Sequence, residues 1–127
     1  RYRKMTRKGE TKSSDFQITI IIDEFADLIL TNKKTFEPLI VKLAQLSAAS
    51  KIKMIIATQT PNRKTITANI QANFVCKIGL HADSPIESRQ IVGDASCCAL
   101  PMPQTVGVGV CALKLPGESV KIYKIER

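Results

Sequence analysis

The sequence predicts an α/β fold organised on a mostly parallel sheet, and three observations predict it. Two short apolar runs rich in β-branched residues, 18–22 and 52–57, read as buried strands. Between them Phe36, Leu39, Ile40, Leu43 and Leu46 recur at helical spacing. Strand, helix and strand in that order imply a right-handed parallel crossover.

Taken in order, residues 1–15 are polar and basic, suiting the end of a helix followed by a loop. Residues 16–22 form the first strand, and Ile18-Thr19-Ile20-Ile21-Ile22 is apolar enough to be buried on both faces. Residues 24–30 suit a short helical turn. Residues 35–50 form an amphipathic helix, with Thr35 available as its cap and Pro38 tolerable in its first turn. The second strand ends in Thr58-Gln59-Thr60-Pro61. Residues 65–73 read as helix and 74–80 as a third strand. Ser84-Pro85-Ile86-Glu87 marks a helix start, with a Ser cap, Pro first and Glu closing the capping box, and Gly93 marks its end. After Val106, two strands flank Pro116-Gly117 as a hairpin. No internal repeat or low-complexity segment interrupts this order.

A chain of 127 residues with 44% hydrophobic composition is one folded domain or part of one. Net charge is +8, from 19 Lys and Arg against 11 Asp and Glu, which suits contact with nucleic acid or another anionic surface. Much of the excess is local, since Arg1, Arg3, Lys4, Arg7, Lys8 and Lys12 stand against Glu10; a solvated tail would look the same. No run approaches the ~18 apolar residues of a membrane span. The chain opens on Arg1 and is read as part of a longer cytoplasmic protein. Cys76, Cys97, Cys98 and Cys111 form no Cys-x-x-Cys pair, and His81 is the single histidine, so no zinc site is expected and the thiols are taken as reduced and mostly buried.

The chemistry concentrates where the first strand meets Asp23-Glu24. Burying a carboxylate is costly unless it is paired or bound to a metal. Acids at the carboxyl end of a parallel strand lie where open α/β sheets bind ligands. This is the Walker B arrangement of nucleotide hydrolases, in which the first acid holds Mg²⁺ and the second polarises the attacking water. A buried strand ending in a charged loop fits the same residues.

Four blocks extend this reading. Ile20-Ile21-Ile22-Asp23-Glu24-Phe25-Ala26-Asp27-Leu28, Ile55-Ile56-Ala57-Thr58-Gln59-Thr60-Pro61, Ile66-Thr67-Ala68-Asn69-Ile70-Gln71-Ala72-Asn73 and Glu87-Ser88-Arg89-Gln90-Ile91-Val92 occur in the order found in the FtsK/SpoIIIE family. With Arg1-Tyr2-Arg3-Lys4-Met5, the chain resembles the C-terminal part of that family's RecA-like motor core up to about residue 95. The resemblance implies three segments: a basic stretch (1–15), a Walker B and sensor core (16–95) and a divergent loop with a β-hairpin (96–127). It implies ATP and Mg²⁺ as cofactors, DNA as cargo, a hexameric ring and a parent protein anchored at the membrane through a region outside this chain. Asp23 would organise the metal, Glu24 would act on the water, Gln59 would sense the terminal phosphate and Arg89 would act as an arginine finger toward a neighbouring subunit. A strand-end Gln satisfied by backbone is the lesser alternative for Gln59, and a surface or interface ion pair fits Arg89 equally. Arg63 and Lys64 would face DNA or merely be solvated.

Two departures stand out. No Gly-x-x-x-x-Gly-Lys-Ser/Thr loop occurs in the sequence; Gly9-Glu10-Thr11-Lys12-Ser13 has the Lys-Ser step without the preceding glycine. The loop that cradles the phosphates is expected upstream in the parent, so the 127-residue chain alone is not expected to hydrolyse ATP. Turnover by the purified chain that vanishes in Glu24→Gln would contradict this. The second departure is Leu100-Pro101-Met102-Pro103-Gln104-Thr105-Val106-Gly107, which suggests a divergent branch such as the coupling protein of a mobile element serving conjugation. The same blocks also suit a motor of the type VII protein-export kind, or a non-hydrolysing module for assembly or DNA binding.

Overall fold

The computed structural model describes residues 17–102 and 109–125. The basic segment at 1–15 and much of the divergent loop fall outside them. The elements run β1 (Ile18–Ile22), α1 (Phe25–Ser50), β2 (Ile52–Ile56), α2 (Ala68–Asn73), β3 (Lys77–Gly79), α3 (Pro85–Val92), a 3-10 turn at Ser96–Ala99, β4 (Gly109–Lys114) and β5 (Lys121–Ile125). β1 and β2 pair in parallel with Ile18 opposite Ile52 and Ile22 opposite Ile56, as the crossover requires. β3, β4 and β5 form a second sheet, antiparallel throughout. The chain is thus α/β, with a parallel pair followed by a C-terminal antiparallel hairpin.

Several local expectations are corrected. The third strand is shorter than 74–80 and pairs with β4. β1 is not buried on both faces: alternation turns Ile22 toward α1 together with Met54 and Ile56 of β2. The cross-strand neighbours Ile21 and Ile55 point the other way and are 69% and 55% exposed. Among the described residues β1 pairs only with β2, which leaves its other edge unpaired. The helical turn expected over 24–30 and the helix expected over 35–50 run together as α1, broken at Asn32 (φ −158, ψ 81), so the second segment starts earlier than residue 35. Asn32, not Thr35, caps the second segment, because its Oδ1 accepts from Thr35 N–H at 3.2 Å. Pro38 therefore lies inside that segment, beyond its first turn. The helix expected over 65–73 is confined to α2, with Thr67 as its cap and Thr65 buried in the preceding turn.

The core has two centres. Phe25, Ile29 and Ile40 of α1 close on Ile70 of α2, with Ile22, Met54, Ile56 and Phe74 around them. Ala82, Val92, Cys97, Leu100 and Ala112 form the other, beneath α3. Two amides join the halves: Gln90 Nε2 donates to Ile66 O (2.7 Å), and Gln71 Nε2 donates to Gln90 O (3.2 Å). α3 starts and stops as its sequence indicates. Ser84 Oγ accepts from Ile86 N–H (3.1 Å), and Gly93 closes the helix at φ 95, a conformation that favours glycine.

Cys97 is fully buried under Gly79, and burial pushes its thiol pKa up. Beside it the buried Ser88 hydroxyl donates to Asp94 O (2.6 Å) and accepts from Cys97 N–H (3.0 Å), anchoring the 3-10 turn. Cys111 is buried, Cys98 partly so, and Cys76 is exposed; all four are free thiols. The hairpin turns at Leu115-Pro116-Gly117-Glu118, closed by Glu118 N–H to Leu115 O (3.2 Å) with Gly117 at φ 74. No helix among the described residues is long and apolar enough to cross a membrane.

Candidate active site

Parallel pairing puts the carboxyl ends of β1 and β2 on one rim, and the hydrogen bonding continues past both strands. Ala57 N–H donates to Ile22 O and Phe25 N–H donates to Ala57 O, each at 2.8 Å. This carries the register forward so that Glu24 meets Thr58. Glu24 Oε1 accepts from the Thr58 hydroxyl at 2.6 Å and from Ala26 N–H at 3.0 Å. Glu24 Oε2 accepts from Gln59 N–H at 2.9 Å. Glu24 thus caps α1 and fastens the end of β1 to the end of β2. Of the four lone-pair positions of a carboxylate, one on Oε2 is not engaged by these contacts.

Electrostatics follow from the same contacts. The Thr58 hydroxyl, the Gln59 amide and the Ala26 amide hold the Glu24 carboxyl below the usual carboxylate range, against a small opposing effect of burial. The group is therefore ionised at neutral pH. Asp23, one residue earlier, is exposed on the same rim.

Of the residues singled out from sequence, the fold brings Asp23, Glu24 and Gln59 together. Gln59 engages Glu24 through its backbone N–H while its side chain stands at an exposed position. Arg63 and Lys64 lie on the loop that leaves Gln59. Asn62 shapes that turn, its Oδ1 accepting from Lys64 N–H (2.9 Å) and Thr65 N–H (3.2 Å), and both basic side chains are presented to solvent. Lys33 Nζ donates to Lys64 O (2.9 Å), so Lys33 joins this basic tip. Arg89 is not part of the cluster. It is exposed on α3, which packs against the antiparallel sheet.

Sequence reasoning missed Thr58 and Lys33. The signal for Thr58 was present: aligning the two apolar runs by their starts, Ile18 with Ile52, sets Thr58 opposite Glu24. Lys33 offered no such signal, because its contact depends on the break at Asn32.

Asp23 and Glu24 supply hard oxygen donors, and among the described residues no three His, Cys, Asp or Glu gather into a metal cage. That donor set fits Mg²⁺, which is usually held by one or two carboxylates together with water and substrate phosphates.

Residues 3–63 match the model of the FtsK/SpoIIIE family. The DNA translocase FtsK of Rickettsia typhi is 46% identical over 77 residues, 61% of this chain and 10% of that protein. The DNA translocase FtsK of Brucella melitensis is 40% identical over 89 residues, 67% of this chain and 11% of that protein. The chain thus spans about a tenth of the curated relatives it matches. Among solved structures, the cytoplasmic domain of the Thermomonospora curvata type VII secretion ATPase EccC aligns over 87% of this chain and 12% of its own, with TM-score 0.74 and 23% identity. A monomer form of the pCW3 conjugation coupling protein TcpA with ATPγS aligns over 87% of this chain and 32% of its own, with TM-score 0.68 and 24% identity. At that identity the two likenesses speak for the fold alone.

Proposed function

Because the chain belongs to the FtsK/SpoIIIE family, we propose that it supplies the Walker B strand and sensor loop of an ATP-driven DNA translocase that works as a hexameric ring on the cytoplasmic side of a membrane. The observation that carries this reading is the shared rim. Asp23 and Glu24 end one parallel strand, Thr58 and Gln59 end its neighbour, and hydrogen bonds of 2.6 and 2.9 Å tie the two. Bound Mg²⁺ would neutralise phosphate charge there, with Asp23 holding it. Glu24, ionised and with one acceptor position open, orients the attacking water. Its lowered pKa suits a hydrogen-bond acceptor better than a strong base, which works best with a pKa near the ambient pH. The Gln59 amide reports on the terminal phosphate. Arg63 and Lys64, with Lys33 beside them, contact the DNA backbone. Arg89, remote from the Glu24 cluster, acts on a neighbouring subunit's nucleotide.

The test is ATP hydrolysis by the whole protein with and without DNA. DNA is expected to stimulate turnover, and log affinity should fall linearly with log salt at a slope near −0.9 per phosphate neutralised. A protein-export motor is the rival, since the same sequence blocks suit either cargo. Stimulation by a polypeptide and not by DNA would decide for that rival.

A further inference from the structure

The Thr58 hydroxyl has one proton, and it is committed to Glu24 Oε1 at 2.6 Å. The same oxygen accepts from Thr60 N–H at 3.1 Å, so Thr58 is held from both sides. The chain of contacts continues: Thr60 O accepts from the hydroxyl of Thr65 at 2.7 Å. Thr65 is 1% exposed and cannot exchange that partner for water. Its backbone N–H is bound to Asn62 Oδ1, the atom that also shapes the turn carrying Arg63 and Lys64. Hydrogen bonds linked through Thr60 and Thr65 therefore connect the carboxylate on the rim to the turn that carries the exposed basic tip.

We infer that Thr58 is a positioning residue for Glu24, and that through the 58–65 turn it passes the state of the Arg63–Lys64 tip to that carboxylate. The inference rests on the reading of Glu24 given above. A charge-assisted hydrogen bond fixes the rotamer of its acceptor, and Glu24 can orient a water only when its free lone pair points at one place. A polyanion that engages Arg63 and Lys64 pulls on Asn62 and Thr65, shifts Thr60, and changes the aim of the Thr58 hydroxyl. Gln59, bonded to Oε2 through its backbone, moves with the same turn.

The experiment uses the whole protein and measures kcat and KM for ATP with and without duplex DNA in Thr58→Val and Thr58→Ser. Thr58→Val keeps the shape and removes the hydroxyl. It is expected to lower DNA-stimulated kcat ~10- to 100-fold, the scale of a hydrogen bond to a charged group, with KM for ATP unchanged. Thr58→Ser keeps the hydroxyl and should restore kcat to within ~3-fold of wild type on the same scale. The paired change Arg63→Ala with Lys64→Ala should reduce DNA stimulation in the wild type and add little in Thr58→Val, since the two act in series. A serine variant as slow as the valine variant overturns the inference, because packing of the methyl would then be what matters. If Thr58→Val does not fold, Thr58→Ser decides alone: a folded serine variant with DNA-stimulated kcat more than ~10-fold below wild type overturns the inference. If Glu24→Gln is inactive while Thr58→Val turns over normally, the inference on Thr58 fails and the reading of Glu24 stands; if Glu24→Gln turns over normally, that reading fails first.

Discussion

Glu24→Gln in the whole protein is expected to cut ATP turnover by ~10²- to 10⁴-fold, the usual contribution of a group that handles the proton or water in the transition state. Nucleotide affinity should stay within ~3-fold of wild type, because the change leaves Asp23 in place and removes an interaction made chiefly in the transition state. The amide keeps one oxygen, so part of the capping network survives. Oxygen at the Oε1 position would still accept from Ala26 N–H and the Thr58 hydroxyl, while an NH₂ at the Oε2 position would face the donating Gln59 N–H. A modest drop in melting temperature therefore accompanies the loss of turnover, and circular dichroism separates the two effects. Normal turnover by a folded Glu24→Gln protein would remove Glu24 from the reaction.

Gly79→Val is expected to destabilise the fold by about 3 kcal/mol or more, at or above the upper end of overpacking penalties. A Cβ built on Gly79 would lie 2.4 Å from Cys97 Sγ and 3.2 Å from both Ile91 Cγ2 and Val92 Cγ1. The obstacle is not a floppy surface chain. Cys97 is fully buried, and its backbone N–H is held by Ser88 Oγ. Neither β3 nor the 3-10 turn can retreat without opening the second core. Gly79→Ala should suffer less, and Cys97→Ala should relieve part of its cost, because the sulfur that blocks the new methyl is then gone. Denaturant titration of the four members of that cycle checks this, with an expected coupling of about 0.5–3 kcal/mol. Strict additivity would mean that Gly79 is constrained by something other than Cys97.

These two sites differ in how far the sequence exposed them. The position of Asp23 and Glu24 just past a strand was legible because the apolar β-branched run before them marks that strand. The parallel pairing that places them beside Gln59 followed from strand, helix and strand order alone. α3 was legible from end to end, since Ser84, Pro85 and Gly93 each act within a few residues of their own position. What could not be read were contacts between segments distant in sequence. The Cys97-Cys98 pair had no apparent role until the fold set Cys97 under Gly79. The exposed Ile21 and Ile55 contradicted an apolar run that promised burial on both faces, because hydropathy reports what a side chain prefers and not whether a neighbour is present to cover it. The interruption of α1 was legible as the gap between the helical turn at 24–30 and the helix at 35–50, but its cap was not: Asn32 suits a cap by its chemistry, and that role emerges only from the backbone it adopts.

That break has a mechanical consequence. The first half of α1 is fastened to the start of the loop after β2 through the Glu24 cap and the Phe25–Ala57 bond. The second half is fastened to the far end, where Lys33 reaches Lys64 O and Glu37 Oε1 takes the Thr67 hydroxyl at 2.5 Å. A single rod would have to swing as one body, whereas two arms meeting at Asn32 form a lever with its fulcrum at one residue. Displacement at the basic tip can then tilt one arm against the other, and the lengths of the two arms set the gearing between them.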